Sequence, residues 1–137
     1  MPKTLTEADL NGFTGCMDWT RHSPQLFRNV ISSEGMIFVA EQAGAYWLLD
    51  AIASHETADP KLLAACKADE GFDYLHFWKL NVQGNEGTLT CVKDSGLPPV
   101  VVQKIEHTDF PIQGVFTVYA GNDGPGTLRK LFLPSEY

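Results

Sequence analysis

The sequence predicts an α+β fold: an antiparallel sheet of about six to eight short strands on a central apolar helix, with a short N-terminal helix and a second, amphipathic helix. Three observations carry that expectation. Between Phe72 and Gln83, residues Phe72, Tyr74, His76, Trp78, Leu80 and Val82 fall on one side while Asp73, Lys79, Asn81 and Gln83 fall mostly on the other, the period of a half-buried strand. From Ala40 the period changes, because Ala40, Ala43, Gly44, Trp47, Leu48 and Ala51 recur at helical spacing. Clusters of Gly, Asn, Asp, Ser and Pro then divide the C-terminal half into short β-favouring runs.

Taken in order, Thr6-Glu7-Ala8-Asp9 approaches the capping-box pattern and opens a short helix that runs to Asn11 and stops at Gly12. Trp19 to His22, Leu26 to Ile31 and Met36 to Val39 read as strands, with Pro24 restricting the first to a short or edge strand and Ser33-Glu34-Gly35 as a hairpin turn. Gln42 to Ser54 reads as one helix, and since Tyr46, Leu49, Ile52 and Ala53 make it apolar nearly all round, it belongs at the centre of the molecule. Pro60 opens the second helix, which passes through Leu62, Leu63, Ala65 and Cys66 to Ala68 and ends at Gly71. The Phe72 to Gln83 strand turns at Gly84-Asn85-Glu86-Gly87 into Thr88 to Lys93, and Asp94-Ser95-Gly96 with Pro98-Pro99 leads on to Val100 to His107. Those three strands form an antiparallel meander. After Thr108-Asp109-Phe110-Pro111, two more strands, Val115 to Tyr119 and Leu128 to Leu133, flank the glycine-rich loop Gly121 to Gly126.

A chain of 137 residues is the size of one domain, and 44% hydrophobic content with eight Phe, four Tyr and three Trp supplies a core without staples. Seventeen acidic against ten basic residues leave a net charge of −7, which argues against an ordinary nucleic-acid binder or an anionic-membrane binder and suits a protein partner with a basic surface. Cys16, Cys66 and Cys91 are odd in number and far apart, so neither a disulfide framework nor a compact zinc knuckle is expected. Met1 to Glu7 lacks a signal-peptide core and no run approaches a membrane span, so the expected location is the cytoplasm.

Among candidate sites, Asp50 stands out as a carboxylate inside the apolar run Tyr46 to Ala53, where it must find a partner or face water. Either it forms a buried pair that holds the helix to the sheet, or it lines a ligand pocket with Arg21, His22 and Glu41. Cys16, Asp18 and His22 share a face of an extended segment, without the spacing of a metal knuckle. His76 reads as a core or interface histidine, His55 as a helix-end charge and His107 as a strand end, and none sits near a nucleophile-elbow serine. The loop Gly121 to Thr127 lacks the Gly-Lys-Ser/Thr of a phosphate cradle. Glu56, Asp59, Asp69, Glu70 and Asp73 bracket the second helix as an acidic face that would suit docking onto a basic partner. No catalytic residue, cofactor or metal is expected.

Phe13-Thr14-Gly15, Trp19 with Arg21-His22, Gly44 to Asp50, Thr108 to Pro111 and the terminal Leu133-Pro134-Ser135-Glu136-Tyr137 together resemble a group of small bacterial, cyanobacterial and phage-borne proteins described only as a domain of unknown function. The similarity runs from about Leu5 to Tyr137, with a longer loop at Gly121 to Gly126 and an expanded second-helix region as departures. The resemblance brings no activity and no residue roles. It implies a mobile-element context, and with it an accessory or counter-defence role. The resulting expectation is a non-enzymatic interaction protein that blocks a host macromolecule, as an anti-CRISPR protein does. A small-molecule or nucleotide binding module around Arg21, His22 and Asp50 and a structural homodimer are the alternatives.

Overall fold

The computed structural model describes residues 12, 19–21, 29–68, 75–92, 98–122 and 128–136. Among these residues seven strands make one sheet: β1 (Trp19–Thr20), β2 (Val30–Ser33), β3 (Leu75–Gln83), β4 (Glu86–Val92), β5 (Val101–Ile105), β6 (Gly114–Gly121) and β7 (Arg129–Phe132). Their spatial order is β1-β2-β7-β6-β3-β4-β5, and every neighbouring pair is antiparallel except β2 with β7. Among the described residues three helices, α1 (Glu34–Ala43), α2 (Tyr46–Ala58) and α3 (Pro60–Ala68), are all inserted between β2 and β3, and a 3-10 turn (Pro134–Glu136) follows β7. The α+β class and the largely antiparallel sheet are those expected. The strands on either side of the helices join in that one sheet.

Strand β3 lies at the centre, paired with β6 from Leu75↔Gly121 to Val82↔Gly114 and with β4 from Phe77↔Val92 to Gln83↔Glu86. The β3–β4 connection is a two-residue turn whose first residue, Gly84, sits at φ 65°, a conformation that favours glycine. Alternation places His76, Trp78, Leu80 and Val82 in the interior, joined there by Leu89, Cys91, Phe116, Val118, Ala120 and Leu131. Leu48, Leu49, Ile52 and Ala53 of α2 and Met36, Val39, Ala40 and Ala43 of α1 belong to the same core cluster. On the other face of the sheet the half-buried rings of Phe77, Tyr119, Phe132 and Trp19 meet edge to face, with centroids 5.2, 5.8 and 6.2 Å apart in that sequence.

The helical region corrects the expected boundaries. Ser33 is not part of a hairpin: its hydroxyl accepts the Met36 N–H at 3.1 Å and caps α1, so Met36 to Val39 is helical rather than a strand. The expected helix Gln42 to Ser54 is divided at Gly44, which adopts φ 61° and ψ 39°; the N–H groups of Gly44 and Ala45 both return to the Ala40 carbonyl. The second helix opens at Pro60 as expected, with the Asp59 carboxylate accepting from Lys61 N–H at 3.0 Å. The expected N-terminal helix, Gly71, Phe72, Tyr74 and the 123–127 part of the glycine-rich loop lie outside the described residues.

The C-terminal turn is fastened to the start of α1. Glu136, 8% exposed, accepts hydrogen bonds from the Ser33 hydroxyl, from Gly35 N–H at 3.2 Å and from Leu133 N–H at 2.9 Å. A carboxylate at a helix N-terminus satisfies otherwise orphaned donors and complements the helix dipole. Glycine at position 35 allows this close approach, since a Cβ there would lie 2.7 Å from both Glu136 Oε1 and Leu133 Cδ1 and would displace them.

Candidate functional site

The buried residues of α2 are Leu48, Leu49, Ile52, Ala53 and Glu56, and the helical period that places the first four against the sheet delivers Glu56 there as well. A carboxylate in that position needs donors on all sides, and the sheet supplies them. His76 Nδ1 lies 2.7 Å from Glu56 Oε2, Trp78 Nε1 donates to the same oxygen at 2.8 Å, and Arg129 Nε lies 3.1 Å from Oε1. His76 and Trp78 alternate onto the inner face of β3, and Arg129 begins β7 on the same side of the sheet. The guanidinium neutralises the carboxylate inside the protein, without which burial of the charge would be strongly unfavourable.

The other ring nitrogen of His76 faces α3. Cys66 Sγ is 3.2 Å from His76 Nε2, and the cysteine, in the last turn of its helix, is half-buried and carries a thiol rather than a disulfide. Because a carboxylate only accepts, Nδ1 must carry the proton shared with Glu56; in the neutral ring Nε2 is then an acceptor directed at the thiol. Cys66, His76 and Glu56 thus form a linear chain of thiol, imidazole and carboxylate, in which His76 is fully buried and Cys66 is the member that meets solvent.

A second cluster adjoins the first. His55 Nδ1 lies 2.8 Å from Asp59 Oδ2 and its Nε2 lies 2.7 Å from the Gln103 side-chain oxygen, while its ring stacks on Trp78 at 5.5 Å. Burial alone would raise the Asp59 pKa, but hydrogen bonds from His55 and from the backbone of Lys61 and Leu62 outweigh it and hold the carboxyl below its ordinary value. Cys91, fully buried on β4, has its thiol pushed up by burial first and then by the negative charge of Glu56.

The residues picked out from sequence fall elsewhere. Asp50 is exposed on the outer side of α2, so the charge that the apolar run brings inside is Glu56 and not Asp50. Arg21 and Glu41 are also exposed, and His22 lies outside the described residues. Glu41 instead acts on Tyr46, whose hydroxyl is held above its ordinary pKa by burial and then by the charge and hydrogen bond of Glu41. Of the acidic docking set, Glu56 is interior and Asp59 is bound to His55 and the α3 cap, while Asp69, Glu70 and Asp73 lie outside the described residues. The sequence places Cys66 on the second helix, as one of three separated cysteines, and reads His76 as a core or interface histidine; His76 is in the core, with a thiol and a carboxylate on its two nitrogens. Continuing the α2 stripe by one further turn, from Leu49 and Ile52 to Glu56, is the sequence signal that leads to the array.

Among the described residues no group of three or more His, Cys, Asp or Glu is arranged to hold a metal ion, and no helix is long and apolar enough to cross a membrane. A shallow cleft of about 140 Å³ opens on the other face of the sheet between Asn81, Gln83, Glu86, Thr88 and Lys104, and contains none of the array.

Compared with known proteins, residues 4–137 match one family, described as a family of unknown function (DUF6876). The chain belongs to that family. No curated protein and no solved structure matches it significantly. The motifs that carried the resemblance have structural work in this DUF6876 chain: Gly44 turns α1 into α2, and Glu136 joins β7 to α1. Thr108 accepts from Phe110 N–H at 3.1 Å, turning the chain so that Phe110 packs in the core 5.1 Å from Phe116.

Proposed function

We propose that this DUF6876 protein is a thiol-dependent enzyme in which Cys66 is the nucleophile, His76 the base and Glu56 the group that orients His76. The observation that carries this reading is the 3.2 Å approach of a half-buried thiol to a buried imidazole whose far nitrogen is fixed at 2.7 Å on a carboxylate. In the first step the thiol proton passes to His76 Nε2 and Sγ attacks an electrophilic carbonyl carbon. The imidazolium then returns that proton to the leaving group as an S-acyl intermediate forms, and water or another acceptor releases the acyl group. Burial of the His76–Glu56 pair keeps the tautomer fixed while Cys66 meets the substrate.

The test is alkylation of Cys66 by iodoacetamide, followed by mass spectrometry, together with burst kinetics on an activated ester. The expected result is selective modification of Cys66 at near-neutral pH, slowed by about 100-fold in His76→Gln. A Cys66 that reacts at the same rate in folded His76→Gln protein would contradict the reading.

A second reading keeps the interaction protein. Net charge −7 with Glu41 and Asp50 exposed favours docking on a basic partner surface, although Glu56 contributes nothing to it. Affinity capture from the host that is lost on Glu41→Lys with Asp50→Lys, and retained in Cys66→Ala, would favour this reading over the first.

A further inference from the structure

We infer that Arg129 is a positioning residue for the thiol: its charge, acting through Glu56, keeps His76 an uncharged base towards Cys66. The inference rests on the proposed pairing of Cys66 with His76 and assigns control of that pair to a residue of β7.

Strand alternation brings Arg129 to the array. Arg129 and Lys130 are consecutive cations at the start of β7, and a strand sends consecutive side chains to opposite faces. Lys130 lies over the Trp19 ring at 5.2 Å, whereas Arg129 shares the inner face with Leu131 and brings Nε to 3.1 Å from Glu56 Oε1. The arginine side chain is 15% exposed and that of Glu56 1%, so water screens the pair little. The carboxylate is held at both ends: Trp78 Nε1 donates to Oε2 at 2.8 Å, Arg129 meets Oε1, and His76 Nδ1 reaches both oxygens, at 2.7 and 2.9 Å.

A buried carboxylate requires a positive partner, and an imidazole beside it can become that partner by taking a second proton. The ring would then carry N–H at both nitrogens and have no lone pair for the proton of Cys66. A guanidinium on the carboxylate weakens the hold on that second proton, so Nε2 stays an acceptor at 3.2 Å from Sγ. Arginine suits this use because it keeps its charge across the working range of pH.

The charged and titratable groups around the ring come from four elements. Glu56 of α2 and Cys66 of α3 meet it directly, and Arg129 of β7 acts through the carboxylate. Cys91, opposite Trp78 on β4, is a thiol that burial keeps protonated and so adds no charge. Loss of Arg129 therefore makes the surroundings of the Cys66–His76 pair more negative by one charge. Removing the proton whose departure leaves a thiolate beside the imidazolium is then displaced to higher pH.

The experiment follows iodoacetamide alkylation of Cys66 by mass spectrometry as a function of pH, in the intact chain and in Arg129→Gln and Arg129→Lys. Nitrogen NMR of the His76 ring, which separates the neutral tautomers from the imidazolium, accompanies it. In the unaltered chain at neutral pH the ring should be neutral with its proton on Nδ1. In Arg129→Gln the ring should be an imidazolium, and the rise of alkylation with pH should move up by about one unit, which makes the rate about 10-fold lower at neutral pH and lets it recover at higher pH. Arg129→Lys, which keeps the charge, should return both readouts towards those of the unaltered chain. A purely structural loss lowers the rate at every pH without displacing the rise, and that result in folded Arg129→Gln would overturn the inference. An imidazolium in the unaltered chain at neutral pH would overturn it as well, and this readout does not depend on whether Arg129→Gln folds. In both cases a His76→Gln chain that still alkylates slowly leaves the proposed nucleophile standing, whereas alkylation indifferent to His76→Gln overturns the nucleophile and the inference together.

Discussion

Glu56 occupies a place in the α2 stripe where a leucine would be the ordinary choice, and three donors from the sheet converge on it. Such a cluster has two separable roles, and single substitutions divide them. Glu56→Gln removes the negative charge opposite Arg129 and places an amide N–H₂ against donors, so it should destabilise the fold by about 3 kcal/mol in urea denaturation. Cys66→Ala removes only a half-buried sulfur at the edge of the core and should cost under about 1 kcal/mol. A protein that tolerates Glu56→Gln with no loss of stability would show that the network does not hold α2 to the sheet. Asp50 illustrates why this site was hard to read from sequence. A charge in the middle of an apolar run is conspicuous, yet a helix has an outer side that water reaches, and Asp50 lies there. Glu56 stood beyond the apolar run and looked solvated, although its spacing from Leu49 and Ile52 is the spacing of the core.

At the level of elements, caps decide what periodicity leaves ambiguous. Met36 to Val39 is a short apolar run that suits strand or helix equally, and Ser33 with Glu34 in the first turn selects the helix. Ala40, Ala43, Leu48 and Ala51 keep helical phase across Gly44, so the pattern read as one helix although the chain turns a corner there. The β3 to β7 strands were legible because their alternation is strong and glycine or proline marks their ends. The cap at Asp59 is open to a direct test. Asp59→Ala should cost about 1 kcal/mol at neutral pH, since the Lys61 N–H loses its acceptor and His55 its partner. The Asp59 pKa is lower in the folded chain than its ordinary value of 3.8, so its contribution is fully present above that pH and disappears as pH falls through the lower folded value. Denaturation curves of the two proteins should therefore converge in strong acid; a difference that persists unchanged there would exclude the carboxylate as its source.

On the scale of the molecule, the parallel pairing of β2 with β7 is the connection no local pattern announces. It joins residues about a hundred positions apart, Val30↔Arg129 to Ser32↔Leu131, and so brings both the first strands and Arg129 into the sheet. Two carboxylates close this long-range arrangement from different sides. Glu56 receives Arg129 at the start of β7, and Glu136, just beyond β7, receives Ser33 and Gly35 at the start of α1. If Glu136 locks the β1–β2–β7 side of the sheet, Glu136→Ala should leave a buried hydroxyl and two N–H groups without their acceptor and cost about 2–3 kcal/mol. The loss should be uneven: hydrogen exchange should accelerate in β2, β7 and the first turn of α1 while β3 and β4, held by a full antiparallel ladder, keep their protection. Acceleration spread evenly over all strands would mean that the sheet opens as one cooperative unit and that Glu136 has no separate hold on this edge. Because Arg129 starts the same strand, local opening there should also loosen the orientation of Glu56 and His76. Glu136→Ala should then slow alkylation of Cys66 although Glu136 touches no member of the array, and an unchanged rate would separate the C-terminal fastening from the chemistry of the thiol.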